Sequence, residues 1–426
     1  MTEIRPFRGL RYDAGRVTPD DVVAPPFDVV SEDDVRALHA RSPYNIAHVE
    51  SSRGVDDSRF TGAAAALDAW EREGVLVRDD APRYYAYEQR FSVQGAIKTR
   101  RAFFAQVRLY RPEERVVRPH EGTMSGPKAE RLALMRATNA NISPIFSMYT
   151  DGEGRAGAVL ASVVERAPDF EATDGRGDRH RLWVIDGASE LETLTGVLEA
   201  SDVTIADGHH RYATALTYHE ERGDEASGWV LMGLVAADDP GLLILPNHRL
   251  VRVDERPADL RARLEELYVL DDITPKSWDG TAIHRLWGRV QANAGGAPTF
   301  GLVGLEEQHL HVLTARSRDA IDRAMPQSWS AASRGLDVSV LTETILKPGL
   351  GLDEADLAAG ERVTFTEEVE EVWRRAEQSH NVLGFLVNPT RVDQVIAVAD
   401  ADELMPQKAT FFYPKLGTGL VLNRLD

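Results

Sequence analysis

The pattern of apolar and polar positions alternates along some segments and repeats at helical spacing along others. Residues 83–93 and 100–110 alternate and are rich in aromatic side chains, which predicts two antiparallel strands. Residues 202–206 and 228–238 are short apolar runs typical of buried strands. Residues 63–77, 126–140 and 207–223 have helical spacing. The order of these segments predicts a mixed α/β (α+β) fold.

Beyond about residue 250, shorter helices and strands follow one another. Residues 299–305 and 309–315 resemble a hairpin, and residues 336–346 begin a helix. No repeat or low-complexity linker separates these parts, so we do not expect sharply defined domain boundaries. The predicted parts are an N-terminal α/β region over 1–115, a central core over 116–250 and a C-terminal α/β region over 251–426.

Composition narrows the possible classes of partner. The 426 residues carry 49 basic and 68 acidic side chains, a net charge of -19, so we expect no broad nucleic-acid surface. The chain has no cysteine, which excludes disulfides and thiolate chemistry. No run of about 18 apolar residues and no apolar signal core occurs, so we expect a cytoplasmic protein without a membrane span. The oligomeric state stays open.

The segment "TIADGHHRYATAL" holds the strongest candidate site. We expect Asp207 to cap the helix, Gly208 to allow a tight turn, and His209, His210 and Arg211 to occupy the first helical turn. Cations at this end oppose the helix dipole, which favours an anion such as phosphate as their partner. A helix cap with surface histidines and a zinc site made by Asp207, His209 and His210 are the alternatives. The zinc site is disfavoured, because zinc helices place their histidines four residues apart.

Two further segments carry polar groups. In "VVRPHEGTMSGPKAERL", Glu121 is a candidate general base beside His120. Thr123, Lys128 and Arg131 add a hydroxyl and positive charge suited to phosphate, although the order of a P-loop is missing. In "MPQKATFFYPK", Lys408 and Thr410 would share one face of a strand, with Lys415 following. A polar loop and an edge strand protected by lysines are the alternatives.

Six motifs, in order, resemble the "domain of unknown function 1015" family. They are "APPFDV", "SPYNI", "PHEGT…PKAERL", "ADGHHRYATA", "LPNHRL" and "MPQKATFFYPK". More distantly, "PHE", "DGHHR" and the C-terminal lysine and threonine resemble the archaeal free-serine kinases, which have a ParB/sulfiredoxin-like nucleotide-binding fold. The interval between "PHE" and "DGHHR" is much longer in this chain, so the resemblance requires a large insertion.

This second resemblance implies a role for each matching position. Glu121 would be the catalytic base, Asp207 would serve phosphoryl transfer, and His209, His210 and Arg211 would contact the nucleotide phosphates. In this reading Asp207 either orients the acceptor or holds Mg²⁺. The residue types of the two segments add further expected phosphate contacts: Gly208, His120, Thr123, Lys128 and Arg131. Lys408, Thr410 and Lys415 would hold the acceptor, although Phe411 and Phe412 replace the Arg-His that follows the threonine in the kinases.

The resemblance therefore predicts a kinase that uses ATP or ADP to phosphorylate a small hydroxylated metabolite, with free L-serine as one candidate. The other chemistries of that fold are disfavoured, because sulfiredoxin needs a cysteine and the partition proteins need a basic helix-turn-helix. The alternative from another class is a nucleotide-binding regulatory protein without turnover. The presence of both Glu121 and Asp207 favours the kinase, since a pure binder needs only the phosphate contacts.

Overall fold

The two aromatic segments form the longest strands of the molecule, Tyr84–Val93 and Ala96–Arg108. They pair antiparallel from Tyr85 opposite Phe104 to Val93 opposite Ala96, so that prediction is confirmed. The computed structural model describes residues 1–52, 57–122, 125–255, 257–273 and 278–426. Helices and strands alternate through both halves, which confirms the mixed α/β fold class.

The strands are numbered in chain order. They are β1 (Ile4–Arg5), β2 (Leu10–Tyr12), β3 (Leu76–Arg78), β4 (Tyr84–Val93), β5 (Ala96–Arg108), β6 (Val117–Arg118), β7 (Ala140–Asn141), β8 (Ile145–Tyr149), β9 (Phe170–Thr173), β10 (Arg179–Ile185), β11 (Val203–Asp207), β12 (Trp229–Ala236), β13 (Leu243–Leu245), β14 (His248–Arg252), β15 (Tyr268–Asp272), β16 (Thr299–Val303), β17 (Leu310–Ala315), β18 (Val363–Thr366), β19 (Val382–Leu386), β20 (Phe411–Tyr413) and β21 (Asn423–Arg424).

The α-helices are numbered in the same way. They are α1 (Pro19–Val22), α2 (Glu32–Arg41), α3 (Ala47–Glu50), α4 (Ser58–Arg72), α5 (Ser125–Thr138), α6 (Arg155–Val163), α7 (Ala188–Glu199), α8 (His209–Arg222), α9 (Leu260–Leu267), α10 (Thr281–Gln291), α11 (Arg318–Ala324), α12 (Ala331–Arg334), α13 (Asp337–Leu341), α14 (Lys347–Leu350), α15 (Glu354–Ala359), α16 (Val369–Gln378) and α17 (Val392–Asp400).

The first turn of α2 and the last turn of α8 have residue types that favour a helix start and a helix end. Ser31 caps α2, and Asp34 Oδ2 accepts a hydrogen bond from the Ser31 amide, which completes the capping box that Ser31 and Asp34 predict from their spacing. The predicted end of α8 at Gly223 is also confirmed, because this glycine is left-handed with φ +67°. The predicted helix at 336–346 begins as α13 and continues as a π-helical turn, Thr342–Leu346.

The chain divides into two compact units. Unit 1 comprises residues 1–243 and 414–426, and unit 2 comprises residues 244–413. The expected boundary near residue 250 lies close to this division, whereas the one near residue 115 falls inside unit 1. The last residues also return to unit 1. Within the described part of the chain, no helix is long and apolar enough to cross a membrane.

Unit 1 is built on a nine-stranded sheet, in which eight strands follow the order β6-β11-β8-β12-β5-β4-β10-β9 and β1 pairs with β5. Apolar side chains of its central strands, among them Phe103, Met232 and Trp183, form the core with α6, α7 and α8. β11 lies parallel to β6 and antiparallel to β8 near one edge. The loop after β6 and the turn after β11 therefore emerge side by side.

Unit 2 has a six-stranded sheet in the order β15-β17-β16-β19-β14-β18. β16 and β17 are antiparallel neighbours, so the predicted hairpin is confirmed. The apolar side of α10, including Ile283 and Leu286, packs with Val372 of α16 and Val312 of β17 in one core. β15 lies at an edge of this sheet, and its last residue, Asp272, is opposite His311.

Candidate functional site

The candidate site lies where β11 turns into α8. Gly208 occupies the N-cap position with φ +93°, a backbone conformation that glycine adopts without steric cost. Asp207 is the last residue of β11, and no side chain caps α8, so the expectation that Asp207 caps the helix is wrong. The left-handed turn at Gly208 separates the Asp207 carboxylate from the first amides of the helix.

Two cations hold the Asp207 carboxylate. Lys415 Nζ contacts Oδ1, and Arg211 Nη2 donates to Oδ2 at 2.6 Å. Burial alone would raise the pKa of Asp207, but the charges of Lys415 and Arg211 outweigh it and lower the pKa to about 2. Asp207 is therefore ionised at neutral pH.

Arg211 is embedded in the same cluster. Its Nη1 donates to the carbonyl of Pro144 at 2.5 Å, and its Nη2 lies 3.9 Å from Asp28 Oδ2. Its Nε is buried and has no hydrogen-bond partner among the described residues. Burial and the Asp207 carboxylate raise the pKa of Asp28. Arg211 thus carries one unused donor and shares two carboxylates with Lys415.

The "PHE" segment meets the "DGHHR" segment directly. β6 pairs with β11 in parallel, with Val117 opposite Val203. Beyond this pair, His120 Nδ1 donates to the carbonyl of Ile205 at 2.6 Å, and the His120 amide donates to His209 Nε2 at 3.3 Å. The two motifs that the sequence analysis singled out therefore form one cluster.

Both histidines of this contact are uncharged. Burial lowers the pKa of His120 to about 4 and, together with His120, lowers the pKa of His209 well below its usual value. Desolvation therefore disfavours the cationic form of His209 that the sequence led us to expect in the first turn of α8. Arg211 remains the cation of that turn, and its charge is compensated by Asp207.

The remaining predicted residues of this region have different surroundings. Glu121 follows His120 and is half-buried, as are His210 at the start of α8 and Lys128 on α5. The carbonyl of Lys128 accepts a hydrogen bond from Thr214 Oγ1 of α8 at 3.5 Å. Thr123 lies outside the described residues. We therefore place Glu121, His210 and Lys128 around the α8 start by their backbone positions.

Arg131 makes contacts that stabilise the fold. Its Nη1 donates to the carbonyl of Glu50 at 2.9 Å, and its guanidinium lies 4.0 Å from the centre of the Phe27 ring. Burial and these contacts leave its Nε without a hydrogen-bond partner among the described residues. A cavity of about 40 Å³, lined by both Arg131 and Arg211, has room for ordered water. A direct phosphate contact for Arg131 stays a prediction.

Lys408, Thr410 and Lys415 do not share one strand. Lys408 has φ +56° and lies in a turn before β20, so the expectation that it shares a strand face with Thr410 is wrong. The Lys408 carbonyl accepts hydrogen bonds from Asn247 at 2.9 Å and Arg249 at 3.2 Å, which holds this turn. Lys408 and Thr410 belong to unit 2, whereas Lys415 belongs to unit 1 with Asp207.

Sequence reasoning missed a polar pair that supports Lys415. Gln89 of β4 donates to the carbonyl of Lys415 at 3.2 Å and accepts from Arg100 Nη2 at 2.5 Å. Burial lowers the pKa of Arg100 to about 10, although Asp207 and other carboxylates oppose this change. The only sequence signal was a polar residue at an inward position of each strand. Their register, Gln89 opposite Arg100, is visible only in the sheet.

Unit 2 contains a separate cavity of about 850 Å³. Asp337, Asn388 and Arg391 are among its lining residues, and Asn388 donates to Asp337 Oδ2 at 3.3 Å. Burial raises the pKa of Asp337 to about 6, and this hydrogen bond opposes the change. None of the predicted site residues lines this cavity.

Comparison with known proteins identifies the family. The chain matches "Protein of unknown function (DUF1015)" over residues 4–339 and belongs to that family. No curated protein matches it. Among solved structures, it is similar to a conserved hypothetical protein from Pyrococcus furiosus at 12% identity and a TM-score of 0.35, with 74% of this chain and 92% of that chain covered.

Free serine kinase is also among the similar structures. A mutant of it in complex with ADP has 12% identity and a TM-score of 0.35, with 73% of this chain and 87% of that chain covered. The form in complex with AMP has 12% identity and a TM-score of 0.34, with 73% and 86% covered. These values describe a distant likeness, so the proposals below depend on the residues of this chain.

Proposed function

We propose that this member of the DUF1015 family is a kinase that transfers a phosphoryl group from ATP or ADP to the hydroxyl of a small metabolite, with free L-serine as the first acceptor to test. One observation carries the proposal: the hydrogen bond between the His120 amide and His209 Nε2 brings Glu121 beside the start of α8. A candidate base and a candidate phosphate site thus lie at one edge of the unit 1 sheet.

The start of α8 supports the phosphate site. The first amides of a helix point away from it and favour negative charge, and Gly208 lets a ligand approach the backbone closely. Lys415 and Arg211 add two positive charges beside this turn. Since charge-assisted hydrogen bonds to phosphate are strong, both side chains are suited to bind phosphate oxygens while they keep their contacts with Asp207.

Glu121 and Asp207 have separate roles in this proposal. Glu121 takes the proton of the acceptor hydroxyl while the acceptor oxygen bonds to the terminal phosphorus. The bond from that phosphorus to the bridging oxygen breaks, and the nucleotide leaves with one phosphoryl group fewer. Lys415 and Arg211 stabilise the charge on the transferring group, and the ionised Asp207 positions both of them.

Magnesium fits this site only as a companion of the nucleotide. Lys415 and Arg211 occupy both oxygens of Asp207, so the geometry argues against the direct Mg²⁺ contact that was one of the two roles expected for Asp207. Asp28 is a further carboxylate of this region, 3.9 Å from Arg211. We therefore assign Mg²⁺ to the nucleotide phosphates, where this ion keeps most of its water ligands.

The direct test is to incubate the full chain with Mg²⁺, L-serine and either ATP or ADP, and to measure phosphoserine by mass spectrometry. Glu121→Gln should abolish turnover and leave nucleotide affinity unchanged, because only the base is lost. Asp207→Asn should lower both, since Lys415 and Arg211 lose their common partner. The matched control is Glu113→Gln, at an exposed carboxylate before β6, which should behave like the unaltered protein.

A nucleotide-binding regulatory protein without turnover is the competing function. Lys415 and Arg211 contact both Asp207 oxygens, so part of their positive charge is already balanced without a substrate. This balance favours a regulatory protein. Nucleotide binding without any phosphorylated product, across a panel of hydroxylated metabolites, would select this function. Absence of nucleotide binding would overturn both.

A further inference from the structure

Three side chains with metal-binding atoms lie together at the edge of the unit 2 sheet. His309 precedes β17 and His311 is its second residue, so both point to the same face of the strand. Asp272 ends β15 directly opposite His311 and shares that face. One potential ligand atom from each residue lies within 4.8 Å of the other two.

The three residues differ in their exposure to solvent. His311 is fully buried, His309 is half-buried and Asp272 is exposed. His309 Nδ1 lies 2.7 Å from Asp272 Oδ2 and 3.9 Å from Glu306 Oε2. The cluster thus combines two imidazoles with one carboxylate, has a second carboxylate in reach, and is open to solvent on one side.

The charges facing this cluster leave room for a cation. Arg261 of α9 contacts Glu306 at 2.8 Å, Glu265 at 3.3 Å and His311 Nε2 at 2.9 Å. Among the described residues, three carboxylates, with Asp272 included, therefore face one guanidinium, and this arrangement favours a bound cation.

His311 has an unsatisfied nitrogen. Because Arg261 only donates hydrogen bonds, His311 Nε2 must accept, and the proton of the neutral ring lies on Nδ1. That atom is buried and has no hydrogen-bond partner among the described residues. An unsatisfied buried donor is unfavourable, because it has lost its hydrogen bonds to water and gained none in the fold.

We propose that Asp272, His309 and His311 bind a divalent transition-metal ion such as Zn²⁺, with Glu306 as the nearest further carboxylate. Imidazole and carboxylate ligands suit zinc, cobalt and nickel. The site is independent of the proposed kinase reaction, because its ligands and the candidate catalytic residues belong to different units.

Metal binding must end the hydrogen bond between Arg261 and His311. If Nε2 coordinates the ion, it has no lone pair left for Arg261. If Nδ1 coordinates the ion, Nε2 carries the proton and no longer accepts. Arg261 therefore competes with the metal in both cases, and its charge also repels the ion. The exposed Glu306 and Glu265 carboxylates remain as its partners.

The test is a calorimetric titration of the metal-free full chain with Zn²⁺, repeated with Co²⁺ to record visible absorption from bound cobalt. We expect one ion per chain. Asp272→Asn and His309→Ala, which change residues that reach solvent, should each weaken binding at least about tenfold. His284→Ala is the matched control, because His284 of the same unit pairs with Glu370 at 3.2 Å, and it should bind as the unaltered chain does.

Arg261→Gln distinguishes a metal site from a purely structural cluster. Removing the competing donor and its charge should tighten Zn²⁺ binding by about tenfold, which corresponds to about 1.4 kcal/mol. A structural cluster predicts no gain. Failure to bind one ion per chain would overturn the proposal, as would unchanged affinity in both Asp272→Asn and His309→Ala or weaker binding by Arg261→Gln.

Discussion

Lys415 and Asp207 form an ion pair that joins the C-terminal segment of the chain to the turn before α8. Their side chains are only 11% and 15% exposed, so water screens the pair weakly. Gln89 holds the backbone of the same lysine through its carbonyl. The last residues of the chain thus complete a site whose other members lie more than two hundred positions earlier.

The first prediction concerns this pair. Lys415→Met should lower the free energy of unfolding by about 3 kcal/mol, because a largely buried carboxylate loses one of its cations. It should also weaken nucleotide binding at least about tenfold, since a phosphate contact is lost. Urea unfolding and calorimetry with ADP measure the two effects. Lys98→Met, at an exposed lysine of β5, is the control, and equal behaviour of both variants would contradict the assigned role of Lys415.

The second prediction concerns the turn at Gly208. Gly208→Ala should cost about 2 kcal/mol of stability, because φ +93° strains any side chain and the added carbon would lie 2.9 Å from Arg211 Nε. Displacement of Arg211 should lower nucleotide affinity as well. Gly223→Ala is matched, since φ is +67° and no heavy atom lies within 4 Å of the added carbon. It should lose stability with unchanged affinity, and equal loss of affinity would count against a ligand at the α8 start.

The third prediction concerns acid sensitivity. His120 binds its proton less tightly in the folded chain, with a pKa of about 4 against 6.5. The unfolded state therefore holds more protons between these values, and stability falls as the pH drops through this window. The loss is up to about 3 kcal/mol, and His120→Asn should remove it. Urea midpoints from pH 7 to pH 4 measure the difference, and parallel curves for both proteins would contradict a buried neutral His120.

The fourth prediction concerns Asp337, whose contribution to stability changes with pH in the opposite direction to that of His120. Asp337 has a raised pKa of about 6 against 3.8, so the folded chain binds more protons than the unfolded chain between these values. Its contribution to stability is therefore lost as the pH rises from about 4 to about 6. Asp337→Asn should be more stable than the unaltered chain at pH 7 by up to about 3 kcal/mol. Chemical unfolding at pH 4 and pH 7 compares the two, and an equal gap at both values would contradict the raised pKa.

Local features of the fold were predictable because short-range rules decide them. The capping box of Ser31 and Asp34 and the left-handed end of α8 at Gly223 depend on neighbours in the chain. Period-two alternation predicted β4 and β5 together with their pairing. The predicted strand through Lys408 was wrong for a long-range reason: its carbonyl accepts hydrogen bonds from Asn247 and Arg249, 161 and 159 positions earlier in the chain. These contacts hold Lys408 in a left-handed turn before β20.

The sequence identified which residue types form the candidate site, but not which of them contact one another. The sequence indicated that Asp207, Arg211 and Lys415 carry chemistry, but it gave no sign that one carboxylate holds both cations. Arg131 has the same residue type as Arg211, yet it packs on Phe27 and bonds to Glu50. Such differences follow from which groups burial brings together.

The sequence by itself determined the family, the mixed α/β class and the turn at Gly208, because motif order, periodicity and glycine conformation are properties of short segments. Only the tertiary structure decided the charge states and partners of the site. Burial made His120 and His209 neutral, and the parallel pairing of β6 with β11 joined their two segments. The segment after unit 2 packs in unit 1 again and brings the Lys415 side chain into contact with Asp207. Electrostatic energy depends on distance and desolvation, and both arise only when residues remote in sequence pack together.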